Sequence, residues 1–313
     1  MLNFCTLFDA NYLTRGLALY RSLQANCNSF RLYVYCFDET VREILAELAL
    51  PNLVTVSLAE FENQELLSVK QDRTRGEYCW TCTAHTIRDA LSRFNLPEIT
   101  YLDADLFFFA DPGLLMEEFR RSGGSILITE NRYTPRYDQS AASGKYCVQF
   151  MTFVADQRGR AALDWWCDRT LEWCYNRQED GKFGDQQYLD DWTDRFEGVH
   201  VLQHLGGGTA PWNIQQYKVG TGPSVNAVPI VFYHFHNLAW CADDSFMLDR
   251  YRLTTATLDV IYRPYIAVLR DQLSEVQKLR PGFTKGMVTL PAGKKPFWQA
   301  FEHKLKGKFH VIR

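Results

Sequence analysis

Ile99-Thr100-Tyr101-Leu102-Asp103-Ala104-Asp105-Leu106-Phe107-Phe108-Phe109 is an apolar run broken at its centre by two aspartates one residue apart. The part before Asp103 reads as a strand buried on both faces, because such strands are almost continuously apolar rather than alternating. Residues i and i+2 of an extended chain point the same way, so Asp103 and Asp105 are expected to present paired carboxylates at the strand's end, where open α/β sheets bind ligands. Hard oxygen ligands of this kind hold Mg²⁺ or Mn²⁺, and a site with open positions shares its metal with a substrate phosphate. The competing reading of Asp-x-Asp is a turn whose acids cap a following helix. Its place directly after an apolar strand favours the metal.

Working outward, strand-like and helix-like periods alternate. Leu13, Leu17, Tyr20 and Leu23 recur at helical spacing, residues 30–37 and 53–58 read as strands, and 39–50 and 82–94 as helices. Beyond Pro112-Gly113 come strands at 125–129 and 147–154, an aromatic helix at 160–177, and strands at 199–202 and 230–236. Such alternation implies parallel pairing in a sheet covered by helices. Gly206-Gly207-Gly208 lacks the spacing of a phosphate-binding loop and reads as a flexible approach loop. The character changes near residue 245, which predicts a catalytic domain over 1–245 and, over 246–313, a C-terminal helical extension with a basic aromatic tail.

The chain has 313 residues, 46% of them hydrophobic, enough for a full core. A net charge of -3 argues against a general nucleic-acid binder. No signal-like opening and no long uncharged apolar run occurs, so a cytoplasmic location is expected. The nine cysteines sit mostly in apolar contexts and read as reduced, packed thiols. Cys79-Trp80-Thr81-Cys82 has no second pair or nearby histidines, which weighs against zinc or redox chemistry.

Three further stretches join the aspartates. Tyr233-His234-Phe235-His236 puts two histidines on one face of a late strand; one imidazole would complete a mixed N/O site suited to Mn²⁺ and the other would support it, unless both are hydrogen-bonded core histidines. Lys70-Gln71-Asp72-Arg73-Thr74-Arg75 offers charge and a guanidinium fork to phosphate oxygens, or is a solvated loop. Phe8-Asp9-Ala10-Asn11-Tyr12 offers an acid for a ribose hydroxyl or base edge and a ring to stack on the base, or caps a helix.

Taken together these stretches resemble bacterial glycosyltransferases of the GT-A fold, closest to the family 8-like group of retaining enzymes that use nucleoside diphosphate sugars. The likeness runs from Phe4 to about Trp240 and includes Gly184-Asp185-Gln186-Gln187-Tyr188-Leu189 and Ala210-Pro211-Trp212-Asn213. It implies a GT-A domain, a Rossmann-like mixed sheet covered by helices. Asp103, Asp105 and His234 would ligate Mn²⁺ or Mg²⁺. The nucleotide would be held by Phe8, Asp9, Tyr12 and Ala104, with Lys70 or Arg73. Asp185 and Gln186 would face the donor sugar as the catalytic pair, and Trp212 and Asn213 would lie near the acceptor. It also implies a UDP-sugar as first candidate donor, a glycan or lipid-linked acceptor, and retention. One departure is that Asn237-Leu238-Ala239-Trp240 follows the late histidines without the glycine and lysine common in related groups. The leaving-group clamp then falls to Arg73 or Arg132, or rests on the metal alone.

Three rivals remain on the sequence. A phosphatase with Asp103 as nucleophile would carry its Asp-x-Asp on the first strand. A sugar-phosphate nucleotidylyltransferase would open on a glycine-rich loop. A non-catalytic nucleotide-sugar binding protein would have no need of metal ligands. In the tail, Lys294, Lys295, Lys304, Lys306 and Lys308 interleave with Phe297, Trp298, Phe301 and Phe309. That pattern suits peripheral contact with the anionic inner membrane surface, or simply solubility.

Overall fold

The strand that leads into the aspartates is central. In the computed structural model, which describes residues 1–248, 251–288 and 311–312, it is β4 (Glu98–Leu102). With it run β1 (Leu2–Phe8), β2 (Phe30–Cys36), β3 (Leu53–Ser57), β6 (Ile126–Glu130), β7 (Tyr146–Val154) and β8 (Val199–Val201), while β5 (Leu106–Phe108) leaves this sheet. The seven strands lie in the order β3-β2-β1-β4-β7-β6-β8. β3, β2, β1 and β4 are parallel, β7 runs antiparallel to both β4 and β6, and β8 is parallel to β6. The sheet is mixed, as the resemblance implied.

The period of two sorts side chains between two layers. Phe4, Leu32 and Val34 enter one core, Cys5, Tyr33 and Tyr35 the other. Helices Leu13–Asn26, Glu39–Leu48 and Arg75–Arg93 make the crossovers. The last begins before the expected residue 82 because Thr74 accepts from Glu77 N–H while the Glu77 side chain returns to Thr74, a capping box. Helix Gln157–Glu172 is capped by Asp156, whose side chain accepts from Gly159 N–H, and ends before the expected 177.

Two expectations are corrected. Asp103 and Asp105 do not share one extended strand: Leu106 N–H donates to Asp103 O at 3.2 Å, turning the chain between β4 and β5. β5 then pairs antiparallel with the strand Phe232–His234, setting His234 opposite Leu106. The carboxylates converge because a turn gathers them. Gly206-Gly207-Gly208 is not a flexible loop either. All three glycines are buried, and Gly206 O accepts from Val231 N–H at 2.8 Å. A Cβ at Gly206 would fall 1.9 Å from Pro229 O, so glycine is there for close backbone approach.

Helix Arg263–Leu279 lies along helix Leu13–Asn26, where Arg21 pairs with Glu275 at 2.9 Å. Tyr265 stacks on Phe235, ring centroids 3.7 Å apart. The helical extension therefore shares the catalytic domain's core. The interleaved cations and aromatics of the tail, residues 294–309, lie outside the described residues. Among the described residues no helix is long and apolar enough to cross a membrane, and all nine cysteines are free, with only Cys79 less than buried.

Candidate active site

The turn after β4 and the end of the Phe232–His234 strand meet at the C-terminal end of the central strand. Phe235 N–H donates to Asp105 O at 3.0 Å, which locks the late strand to the aspartate turn. His234 Nε2 stands 3.1 Å from Asp105 Oδ1 and 3.8 Å from Asp103 Oδ2. Ligand atoms of Asp103, Asp105 and His234 all lie within 4.8 Å of one another. Two carboxylates and one imidazole concentrated in a buried pocket fit a divalent cation, which would neutralise charge that burial otherwise penalises.

The electrostatics record that conflict. Burial pushes the Asp103 carboxyl up to about 6, against the pull of His234. Asp105 is the more buried of the two, yet His234's charge and hydrogen bond bring it down to about 2. Burial opposes the imidazolium of His234, but the charge of Asp105 wins and holds its pKa well above the ordinary value. Without a cation, a proton on His234 compensates the acids.

Gln149, on β7, is a residue that sequence reasoning missed. Its main-chain carbonyl accepts from Asp103 N–H at 3.0 Å, and its Oε1 faces His234 Nδ1 at 2.9 Å. One residue thus grips two members of the cluster. The available signal was a lone amide inside the nine-residue apolar strand of Tyr146–Val154.

A cleft of about 550 Å³ opens over the cluster, and Phe8, Asp9, Tyr12 and Ala104 line one end. Asp9 Oδ1 accepts from Asn11 N–H at 2.9 Å. Its Oδ2 meets Arg75 Nε at 2.5 Å, and Arg75 also reaches Asp38 at 3.1 Å. Arg75 is the only lysine or arginine among the described residues that line the cleft. The structure does not bring Lys70 or Arg73 there. Lys70 pairs with Glu62 at 2.6 Å, and buried Arg73 donates to the carbonyls of Cys174 and Leu171 at 3.0 and 2.7 Å. Arg132 does not line the cleft; it turns toward Leu205 O.

Asp185 and Gln186 also line the cleft, with Trp80 and Phe183. Trp166 Nε1–H fixes the Asp185 carbonyl at 2.9 Å. The Asp185 carboxyl is 3% exposed, its Oδ2 has no hydrogen-bond partner, and burial together with repulsion from Asp103 raises it to about 7. Gln186 Nε2–H donates to Ser143 O at 2.5 Å. Trp212 lines the cleft beside both histidines, its ring 5.4 Å from His234 and 5.5 Å from His236. Asn213 does not line it: its amide donates to Asn131 O and Gly208 O at 2.9 and 2.8 Å, bracing the loop that carries Trp212.

The mixed sheet and the acidic turn at the end of its central strand define a GT-A fold. The solved structure of the galactosyltransferase LgtC, in complex with donor and acceptor sugar analogs, superposes with a TM-score of 0.53 at 14% identity, covering 86% of this chain and 96% of that one. In sequence the chain is 32% identical over 298 residues to the uncharacterized protein YfnD of Bacillus subtilis (strain 168), covering 91% of this chain and 94% of YfnD. YfnF of the same organism is 30% identical over 292 residues, covering 90% of this chain and 95% of YfnF. The chain belongs to the family of YfnD and YfnF. No family model matches it.

Proposed function

We propose that this protein is a metal-dependent glycosyltransferase of the family 8-like type. It moves a sugar from a nucleoside diphosphate sugar, a UDP-sugar first among candidates, to a glycan or lipid-linked acceptor with retention. The observation that carries this reading is the convergence of Asp103, Asp105 and His234 within 4.8 Å at the floor of a cleft, on a GT-A fold.

A Mn²⁺ or Mg²⁺ held there would supply Lewis-acid stabilisation of the negative charge that builds on the departing diphosphate. No protein acid is then required at the leaving oxygen. Asp9 and Tyr12 hold the nucleoside in this reading, with Arg75, not Lys70 or Arg73, as the cation beside it. Asp185, braced through its backbone, and Gln186 take the hydroxyls of the donor sugar. Trp212 offers its indole face to the acceptor, and buried Asn213 acts by holding that loop.

Incubation with a panel of labelled nucleotide sugars and Mn²⁺ tests the proposal. Metal-dependent release of nucleoside diphosphate is expected. A chain that binds Mn²⁺ but neither transfers nor slowly hydrolyses any donor is not a transferase.

A further inference from the structure

We infer that Gln149 is the positioning residue of the metal centre, fixing which nitrogen of His234 is offered to the cation. The inference rests on the metal reading above. His234 has two ring nitrogens, and only an unprotonated one can ligate. Nε2 is the one that faces Asp103 and Asp105, at 3.8 and 3.1 Å. Nδ1 faces Gln149 Oε1 at 2.9 Å. An amide oxygen only accepts, so Nδ1 carries a hydrogen and donates it, and the proton that a cation would displace is the one on Nε2, beside the carboxylates.

The grip is rigid. Gln149 is fully buried and sits in β7 beside Phe150, which pairs with Leu102 of β4. Its carbonyl holds Asp103 N–H at 3.0 Å, so the same residue sets the start of the acidic turn and the ring plane of His234. The amide nitrogen has no partner, which costs free energy in a core and marks the residue as kept for its oxygen. Being uncharged, the amide also leaves the imidazole less basic than a carboxylate would.

Mn²⁺ titration of the full-length chain, following free Mn²⁺ by electron paramagnetic resonance without any donor, tests this. Gln149→Leu should weaken Mn²⁺ by about 10- to 100-fold, while Gln149→Glu, which restores an acceptor oxygen, should bind at least as tightly as the wild type. A Leu variant with wild-type affinity, or a Glu variant as weak as the Leu variant, overturns the assignment. A second arm needs no variant: in the Mg²⁺-loaded wild type, long-range ¹⁵N correlation should show His234 as the Nδ1–H tautomer, and the Nε2–H tautomer refutes it. Neither arm involves sugar transfer. Metal bound as described by a chain inactive on every donor would sink the proposed activity alone, whereas a wild type that binds no Mn²⁺ sinks this inference.

Discussion

Arg75 and Asp9 close on each other at the wall of the cleft, Nε to Oδ2 at 2.5 Å, with Asp38 3.1 Å from the same guanidinium. The acid expected to meet the nucleoside is ion-paired, and the same guanidinium, its side chain 57% exposed, lines the cleft. Charge-assisted hydrogen bonds to phosphate are among the stronger polar contacts. Arg75→Ala should therefore weaken UDP binding by about tenfold in calorimetry with Mn²⁺, while Lys70→Ala, at a residue that does not line the cleft, should leave it unchanged. Equal losses at both positions would restore Lys70 to the site.

Asp103→Asn and Asp105→Asn each remove a charged candidate ligand from the turn at the end of the central strand and leave the apolar core alone. Transfer should fall at least about a hundredfold in each, with circular dichroism unchanged. Near wild-type turnover at saturating Mn²⁺ in either variant would dismantle the metal reading.

His234 Nε2 meets the carboxylates, so His234→Ala should lose more Mn²⁺ affinity than His236→Ala. Because Asp105 raises the pKa of His234, the cation must displace a proton at neutral pH. Affinity should climb as pH rises through 7, and calorimetry in buffers of different ionisation enthalpy should record proton release. Mn²⁺ binding at pH 7 with no proton released would contradict this picture.

His85 offers a separate test in the core. Its Nε2–H donates to Cys167 O and its Nδ1 accepts from Arg88; burial first, then the Arg88 charge, lowers its pKa from 6.5 to about 3. The unfolded chain takes up that proton first as pH falls. The contribution of neutral His85 is therefore complete above 6.5 and shrinks between 6.5 and 3, by up to about 1.4 kcal/mol per unit. Urea unfolding at pH 7 and pH 5 should differ by about 2 kcal/mol more in the wild type than in His85→Gln. Identical pH slopes would show that His85 does not titrate this way.

Gly206→Ala places a methyl group against Pro229 O, 1.9 Å away before any relaxation. A loss of about 1–3 kcal/mol is expected from overpacking, read as a lower melting temperature. A loop that tolerated alanine would be free, and this one is not.

The sequence carried much of the sheet and the ligand set. The central strand was legible because residues 99–102 are uniformly apolar, and Asp103, Asp105 and His234 because charged and imidazole groups have no other business beside such strands. Arg75 and Arg73 were confused for a physical reason. They lie two residues apart, and only the capping box of Thr74 and Glu77 decides that the helix begins between them, sending one guanidinium to the cleft and burying the other against main-chain carbonyls. Gln149 was hidden because its role depends on partners at 103 and 234, which no local pattern reveals. The triple glycine misled because glycine marks both loose chain and tight contact, and only the packing against Pro229 tells them apart.

The division of the ligands between residues 103–105 and residue 234 also fixes an order in time. The first two emerge from the ribosome with less than half of the chain, and the third arrives 129 positions after Asp105. On the metal reading, the three groups come together only once the late strand has paired with β5, so a cation would meet a finished site rather than nucleate one.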